Sequence, residues 1–216
     1  SHEEAASLPL VALTAWACLV DAASVQAGQS VLILAGSGGV GSVAVQLARH
    51  LGATVSATCS AANAGLVSAL GAQRVLDYRV ERALDGIAGM DAVLDAVGPA
   101  SWARSLAMVR PGGVVASIAS GLPELVERHG PLLGVLATAW GLATSKLLAR
   151  RRGRRLVHVL RPADGVRLAA IAALVDAGAL RPVVERVYPL REIVAANRHV
   201  ETGRTRGKVV VSMGLT

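Results

Sequence analysis

Residues 30–51 read SVLILA, GSGGVG, SVAVQLARHL: an apolar run of strand length, a glycine turn, and a segment of helical period stopped by Gly52. The turn, Gly36-Ser37-Gly38-Gly39-Val40-Gly41, fits G-x-G-x-x-G. The pattern alone is weak, but a strand before it and a helix after it supply the context that gives it meaning. The first glycine makes the turn, the second lets the backbone approach a pyrophosphate, and the third lets helix and strand pack closely. The helix N-terminus then offers free N–H groups and a partial positive charge to phosphate. A glycine turn that binds nothing is the bland alternative.

The rest of the chain keeps the same rhythm. Strands are expected over Thr54–Cys59, Val75–Asp77, Asp91–Val97, Val114–Ala119 and Leu156–Leu160, and helices over Ala62–Leu70, Ala100–Val109 and Val166–Ala177, with a turn at Pro111-Gly112-Gly113. Residues 3–22 read as one helix, with Leu8, Val11, Ala15 and Leu19 at helical spacing. Strands alternating with helices of about ten residues mean βαβ units and a parallel sheet. The expected fold class is therefore α/β, a Rossmann-type doubly wound parallel sheet. Composition agrees: 53% of residues are hydrophobic, drawn mostly from Ala, Val and Leu with no Phe, as suits strands buried on both faces. Strand Arg181–Val187, helix Arg191–Glu201 and strand Gly207–Ser212 form a closing β-α-β tail, while residues 120–163 break the alternation.

The chain has 216 residues, enough for a buried core without disulfides. Cys18 and Cys59 alone give no disulfide framework, which suits a reducing, cytoplasmic setting. Ser1-His2-Glu3-Glu4 is polar and acidic where a secretory signal carries positive charge, so no signal peptide is expected.

A carboxylate at the end of the second strand would hold the ribose 2′-hydroxyl of NAD. Here that end reads Thr58-Cys59-Ser60-Ala61, without an acid. Ser60 can donate to a 2′-phosphate, and Tyr78-Arg79 follows the third strand, so NADPH is the expected cofactor. Ser60 also reads as a helix cap. Ser37 on a strand–turn–helix junction invites comparison with a hydrolase nucleophile, with Asp95 and His158 as partners. That motif fails, because G-x-S-x-G needs glycine where Ala35 stands.

Five stretches carry a family resemblance: LPLVALTAW (8–16), AGSGGVGSVAVQLA (35–48), ATCS…LGAQRVLDY (57–78), LVDAGALRPVVERVYPL (174–190) and ETGRTRGKVVV (201–211). By these the chain resembles the medium-chain dehydrogenase/reductases. It is most similar to the zinc-free quinone oxidoreductase group and, within it, to the reticulon-interacting-protein-like NADPH oxidoreductases. The resemblance implies roles for several residues. Ser37, Gly38, Gly39 and Val40 match the phosphate turn. Ser60 and Tyr78 match contacts to the adenosine phosphate. Arg204, Thr205 and Arg206 match a late loop that reaches the cofactor, with Lys208 beside it. Ala96, Ile118 and Ala119 fall at strand ends on the nicotinamide side. The metal-ligating Cys of zinc relatives is replaced by Leu10, so no metal site is expected. The resemblance also implies a division into residues 1–180, a dinucleotide-binding domain with a lid or interface segment at 120–155, and residues 181–216, the C-terminal portion of a truncated GroES-like catalytic domain.

The implied activity is zinc-independent hydride transfer from NADPH to a quinone or an α,β-unsaturated carbonyl. No catalytic residue is assigned: Tyr78 and Tyr188 are the only phenols, and Tyr78 already belongs to the adenosine end. The alternative is a non-catalytic NADPH-binding, redox-sensing module with a protein, membrane or RNA partner.

The segment from Pro131 to Ala149, followed by Arg150–Arg155, imitates a membrane helix with a basic flank. Its apolar run before Lys146 falls short of the ~20 residues needed to span. A lid or subunit-interface helix is the expected reading, and a homodimer follows from it. Contact with a membrane surface stays open, while nucleic acid is not an expected partner, since no aromatic residues interleave with the arginines.

Overall fold

The computed structural model describes residues 1–80, 82–160 and 163–214. The chain opens with α1 (His2–Ser7) and α2 (Pro9–Trp16), then widens into a π-helical turn over Ala17–Ala22. The single helix expected over 3–22 is thus interrupted. Pro9 lacks the N–H that would continue α1 and starts α2 instead, where a missing donor costs nothing. A capping box closes the start of α1: Glu4 N–H donates to the Ser1 hydroxyl, while the Glu4 side chain reaches back to the Ser1 amine.

There follow β1 (Ser30–Ile33), α3 (Gly39–His50), β2 (Thr54–Cys59), α4 (Ala64–Ala69) and β3 (Arg74–Asp77). The second half adds β4 (Met90–Asp95), α5 (Pro99–Met108), β5 (Val109–Ser117), α6 (Leu122–His129), α7 (Pro131–Arg151), β6 (Arg155–His158) and α8 (Gly165–Asp176). The six strands form one parallel sheet in the order β3-β2-β1-β4-β5-β6, as the alternation predicts. The order reverses between β1 and β4, and a ligand crevice belongs at the carboxyl ends of strands at such a reversal.

Alternate strand residues feed two cores. Val31, Ile33, Val55, Ala57 and Leu94 pack with Val43, Leu47 and Ile171 on one face. Leu32, Leu34, Val93, Val115 and Leu156 pack with Trp102, Leu106 and Ala149 on the other. Burying a residue such as Leu32 or Leu94 contributes roughly 1.5–3 kcal/mol, and these two-sided cores hold the strand ends where the crevice opens.

Two expectations need correction. Pro111-Gly112-Gly113 is not a turn between helix and strand but an irregularity inside β5, where the register with β4 slips between Met90 and Ala92. A side chain on Gly113 would fall 2.8 Å from the Asp91 carbonyl oxygen, so the two strands cross closely there. The 120–155 segment is likewise regular, a pair of helices packed on each other. Lys146 does not end the apolar run, because its side chain is exposed and the helix continues through it to Arg151.

The closing elements are β7 (Val184–Pro189), α9 (Ile193–Glu201) and β8 (Lys208–Ser212), with β7 and β8 paired in parallel. This is the expected β-α-β tail. Its small sheet is covered by α1 from the opposite end of the chain, with Ser212 Oγ 3.5 Å from Glu3 Oε1.

Candidate dinucleotide-binding site

The glycine turn is stapled to the end of β2. Ala35 N–H donates to Thr58 Oγ1 at 3.0 Å, and Gly36 N–H donates to the Thr58 carbonyl at 2.7 Å. The left-handed residue is Ala35, with φ of 58°, and not a glycine. Gly36 is needed for proximity: a Cβ there would lie 2.9 Å from the Ala57 Cβ. Gly41 is needed more strictly, since a Cβ on it would fall within 2.8 Å of the Ala35 carbonyl carbon and of the Gly36 Cα. Gly38 caps α3, and its nearest neighbour to an added Cβ, the Ala35 carbonyl oxygen, is 3.3 Å away. The first α3 bond runs from Ser42 N–H to Gly38 O at 2.9 Å, so Val40 and Gly41 N–H have no partner within the helix.

A cavity of about 830 Å3 opens in front of this turn, at the reversal point of the sheet. Of the expected residues, it brings together Ser37, Gly38, Ser60, Tyr78, Arg204, Thr205 and Arg206. Gly36, Gly39, Val40 and Gly41 shape the turn behind the lining, and the Lys208 stem lies over Gly39. Ala96, Ile118 and Ala119 sit just past β4 and β5 and do not line the cavity, whereas the neighbouring Val97 does.

Of the two readings of Ser60, the helix cap is not made. Its hydroxyl makes no capping bond, and the residue lines the cavity. Asp77 does the local bonding instead, accepting Ala61 N–H at 3.0 Å and Arg79 N–H at 2.9 Å. Tyr78 is 59% exposed with the Arg79 guanidinium 5.8 Å from its ring centre, forming a cationic wall on this side.

The late loop is held by two devices. Gly207 forms an isolated parallel bridge with Gly38, with Gly207 N–H donating to Ser37 O at 2.9 Å. Glu185 accepts from Arg206 N–H at 3.0 Å and from Arg206 Nε at 3.3 Å, and pairs with His199 Nε2 at 3.1 Å. Burial raises the Glu185 carboxyl, but the bonds from His199 and Arg206 outweigh it and hold it below the usual carboxylate range. Glu185, Asn63 and Arg104 were not singled out from sequence. Asn63 Nδ2 donates to Ser37 Oγ at 3.2 Å, and Arg104 lines the cavity. Nothing local marks them; they arrive through the fold.

The hydrolase reading does not survive. Ser37 Oγ is bonded to Asn63, and among the described residues no histidine lines the cavity. The buried Asp95 carboxylate is filled by Val97 and Gly98 N–H and by the Ser101 and Ser105 hydroxyls. His158 makes no bond to it among the described residues, and its Nδ1 is buried without a partner.

The residues fit a dinucleotide. The turn gives close backbone approach and unpaired N–H groups, and Ser60, Arg79, Arg204 and Arg206 give donors and positive charge around the same space. Among the described residues no group of three His, Cys, Asp or Glu side chains is placed to hold a metal ion.

The chain is similar to several known proteins. A family model described as zinc-binding dehydrogenase matches residues 70–211. The NAD(P)H oxidoreductase RTN4IP1, mitochondrial, of Mus musculus is 37% identical across 99% of this chain and 56% of its own length. The quinone oxidoreductase of Coxiella burnetii superposes with a TM-score of 0.82 at 32% identity, over 97% of this chain and 60% of that one. The mycobacterial protein Rv1454c, solved with NADPH, gives a TM-score of 0.76 at 29% identity, over 98% and 65%. The chain therefore spans a little over half the length of the curated relatives it matches. By these matches and by its fold, the chain belongs to the zinc-binding dehydrogenase family, within the medium-chain dehydrogenase/reductase superfamily.

Proposed function

We propose that this chain is the NADPH-binding part of a zinc-independent oxidoreductase that passes hydride to a small-molecule electrophile, a quinone or an α,β-unsaturated carbonyl. One observation carries the reading. The cavity before the glycine turn is lined by Arg79, Arg104, Arg204 and Arg206, with Ser60 among them and, among the described residues, no Asp or Glu. A lining of that sign favours the extra phosphate of NADPH, and the carboxylate that would hold an unphosphorylated ribose is absent from it.

The bound cofactor supplies the hydride. The protein's share is placement. The Gly36–Gly41 turn and the start of α3 hold the pyrophosphate. Ser60, Tyr78 and Arg79 hold the adenosine phosphate. The Arg204–Arg206 loop, fixed by Glu185, closes over the phosphates, with Lys208 behind it. Val97, which lines the cavity just past β4, faces the nicotinamide end, with Ala96, Ile118 and Ala119 outside the lining beyond the ends of β4 and β5. Tyr188 is buried beneath Arg186, whose guanidinium lies 4.6 Å from its ring centre, so it is not assigned as a proton donor. We assign the protein to a reducing, cytoplasmic setting, in which Cys18 and Cys59 stay thiols, and to a homodimer whose pairing leaves α7 free, readable by sedimentation.

Calorimetric titration with NADPH and NADH, on the parent and on Ser60→Asp, tests the reading. NADPH should bind at least tenfold more tightly, and Ser60→Asp should abolish the difference. Absence of binding by either nucleotide at millimolar concentration, or an unchanged preference in Ser60→Asp, would refute it. NADPH binding without oxidation in the presence of quinones or enones would assign a non-catalytic, redox-sensing module instead.

A further inference from the structure

The α7 helix is turned inside out. The residues it buries or half-buries are Gly134, Thr138, Gly141, Leu142, Ser145 and Ala149, spaced at one helical face and mostly small. A Cβ on Gly134 would lie 2.6 Å from the Val126 Cα, so α6 and α7 touch backbone to backbone. Its large apolar residues look outward instead: Leu132, Leu133, Leu136, Trp140 and Leu147 are exposed, Trp140 by 74%. Ordinary surface helices do the reverse.

The outward face leads into strong positive charge. Arg150, Arg151, Arg152, Arg154 and Arg155 follow with no acid among them. At this corner Lys146, Arg150, Arg155 and His158 line a cavity of about 480 Å3, with only Leu156 and Val157 besides. None of these four pairs with a carboxylate among the described residues. His158 Nδ1 is buried there without a hydrogen-bond partner. Three cations gathered around a hollow, Lys146, Arg150 and Arg155, are complementary to phosphate.

We propose that α7 and the α7–β6 corner dock on an anionic phospholipid surface, with lipid phosphate at Lys146, Arg150, Arg155 and His158, and Leu132, Leu136 and Trp140 in the acyl boundary. Interfacial helices bind by this pairing of apolar area with basic charge. The helix has the length and apolar character to cross a bilayer, with a mean hydropathy of 1.5 over its best window. The fold keeps it from doing so. Ala149 is locked in the core, and β6, which follows directly, is hydrogen-bonded to β5. The helix therefore lies along the surface.

Trp140 is the probe. The 216-residue protein is mixed with vesicles of phosphatidylcholine alone or of phosphatidylcholine and phosphatidylglycerol in equal parts. Trp140 emission should shift to the blue, and the protein should sediment, with the anionic vesicles only. A Trp140→Phe variant should sediment without the shift. Arg150→Ser with Arg155→Ser should weaken partitioning by roughly 30-fold, at about one surface-charge contribution per arginine. Leu132→Ser with Leu136→Ser should weaken it as well, while Arg191→Ser with Arg198→Ser, the same charge removed elsewhere, should not. Melting curves matching the parent show that each variant is folded. Equal binding to both vesicle types, or equal loss in the Arg191/Arg198 control, would overturn the proposal. So would release from vesicles by millimolar inorganic phosphate, which points to a soluble anion. Blue emission from a dimer without vesicles would overturn it too, by seating a second copy on α7.

Discussion

Gly41→Ala and Gly38→Ala separate what the glycine turn does for folding from what it does for binding. At Gly41 a methyl group would meet only backbone: the Ala35 carbonyl group and the Gly36 Cα, the latter at 2.8 Å. Carbon atoms rest at about 3.5–4.0 Å, so α3 must retreat by roughly 1 Å. That retreat pulls Val43 and Leu47 off Ile33 and Val55, with which they share a core. Overpacking of this kind costs about 1–3 kcal/mol or more. Alanine in place of glycine returns about 1 kcal/mol in helix propensity, so the clash must exceed that gain before any loss appears. A net loss of about 2 kcal/mol lowers Tm by roughly 4–8 °C in a domain of this size. At Gly38 the backbone is extended, with φ of −77°, and the nearest atom to an added methyl is 3.3 Å away. Gly38→Ala should melt within about 2 °C of the parent yet bind NADPH at least tenfold more weakly, because its methyl stands where the pyrophosphate approaches. Circular dichroism melts and calorimetry read both. A Gly41→Ala protein as stable as the parent would refute the close-packing account, and full NADPH affinity in Gly38→Ala would refute the placement of the phosphates.

Three further expectations concern single side chains. Glu185 titrates below its ordinary range when folded, so its grip on Arg206 is present above that range and is lost as pH falls through the lowered value. NADPH affinity should fall in the same acid window, and Glu185→Ala should show the weakened affinity already at pH 7; an unchanged affinity in that variant would dismiss the loop's role. Asp95→Ala strands two N–H groups and two hydroxyls in the core. It should cost about 3 kcal/mol or more, read as a lower urea midpoint. Burial, helped by the charge of Asp21, pushes the Cys18 thiol up to about 12. Maleimide should therefore leave Cys18 unlabelled at pH 8 until the protein unfolds, and rapid native labelling at that position would contradict the burial.

The sheet was readable because its strands are buried on both faces. Continuous apolar runs such as SVLILA and DAVLDAV, with Gly52, Gly71 and Gly178 ending the helices between, leave few alternatives to a parallel sheet. The glycine turn was readable for the same reason, through its flanks. Local reading failed where a residue type carries two meanings. Pro111-Gly112-Gly113 has the composition of a turn, but β4 runs alongside and absorbs it as a bulge. Lys146 looks like the end of an apolar segment, but an exposed lysine on a helix interrupts nothing. The site was half visible. Ser37, Gly38, Ser60 and Tyr78 belong to consecutive βα units, so chain order delivers them to one cavity. Asn63, Arg104 and Glu185 bear on that site only through tertiary contacts, and no local pattern distinguishes them from other surface residues.

The Gly38–Gly207 bridge has a consequence for how the protein is made. It joins a turn to a loop that is made about 170 residues later in the chain. At 5–20 residues per second, roughly 10–30 s separate the two. Through that interval β1, α3 and β2 can already pair, but Ser37 O has no Gly207 N–H to accept. The nascent chain thus carries an open, half-built crevice. Nucleotide has little to grip until Gly207 has been made, so it should stabilise the chain once that loop has closed without speeding the earlier pairing of β1, α3 and β2.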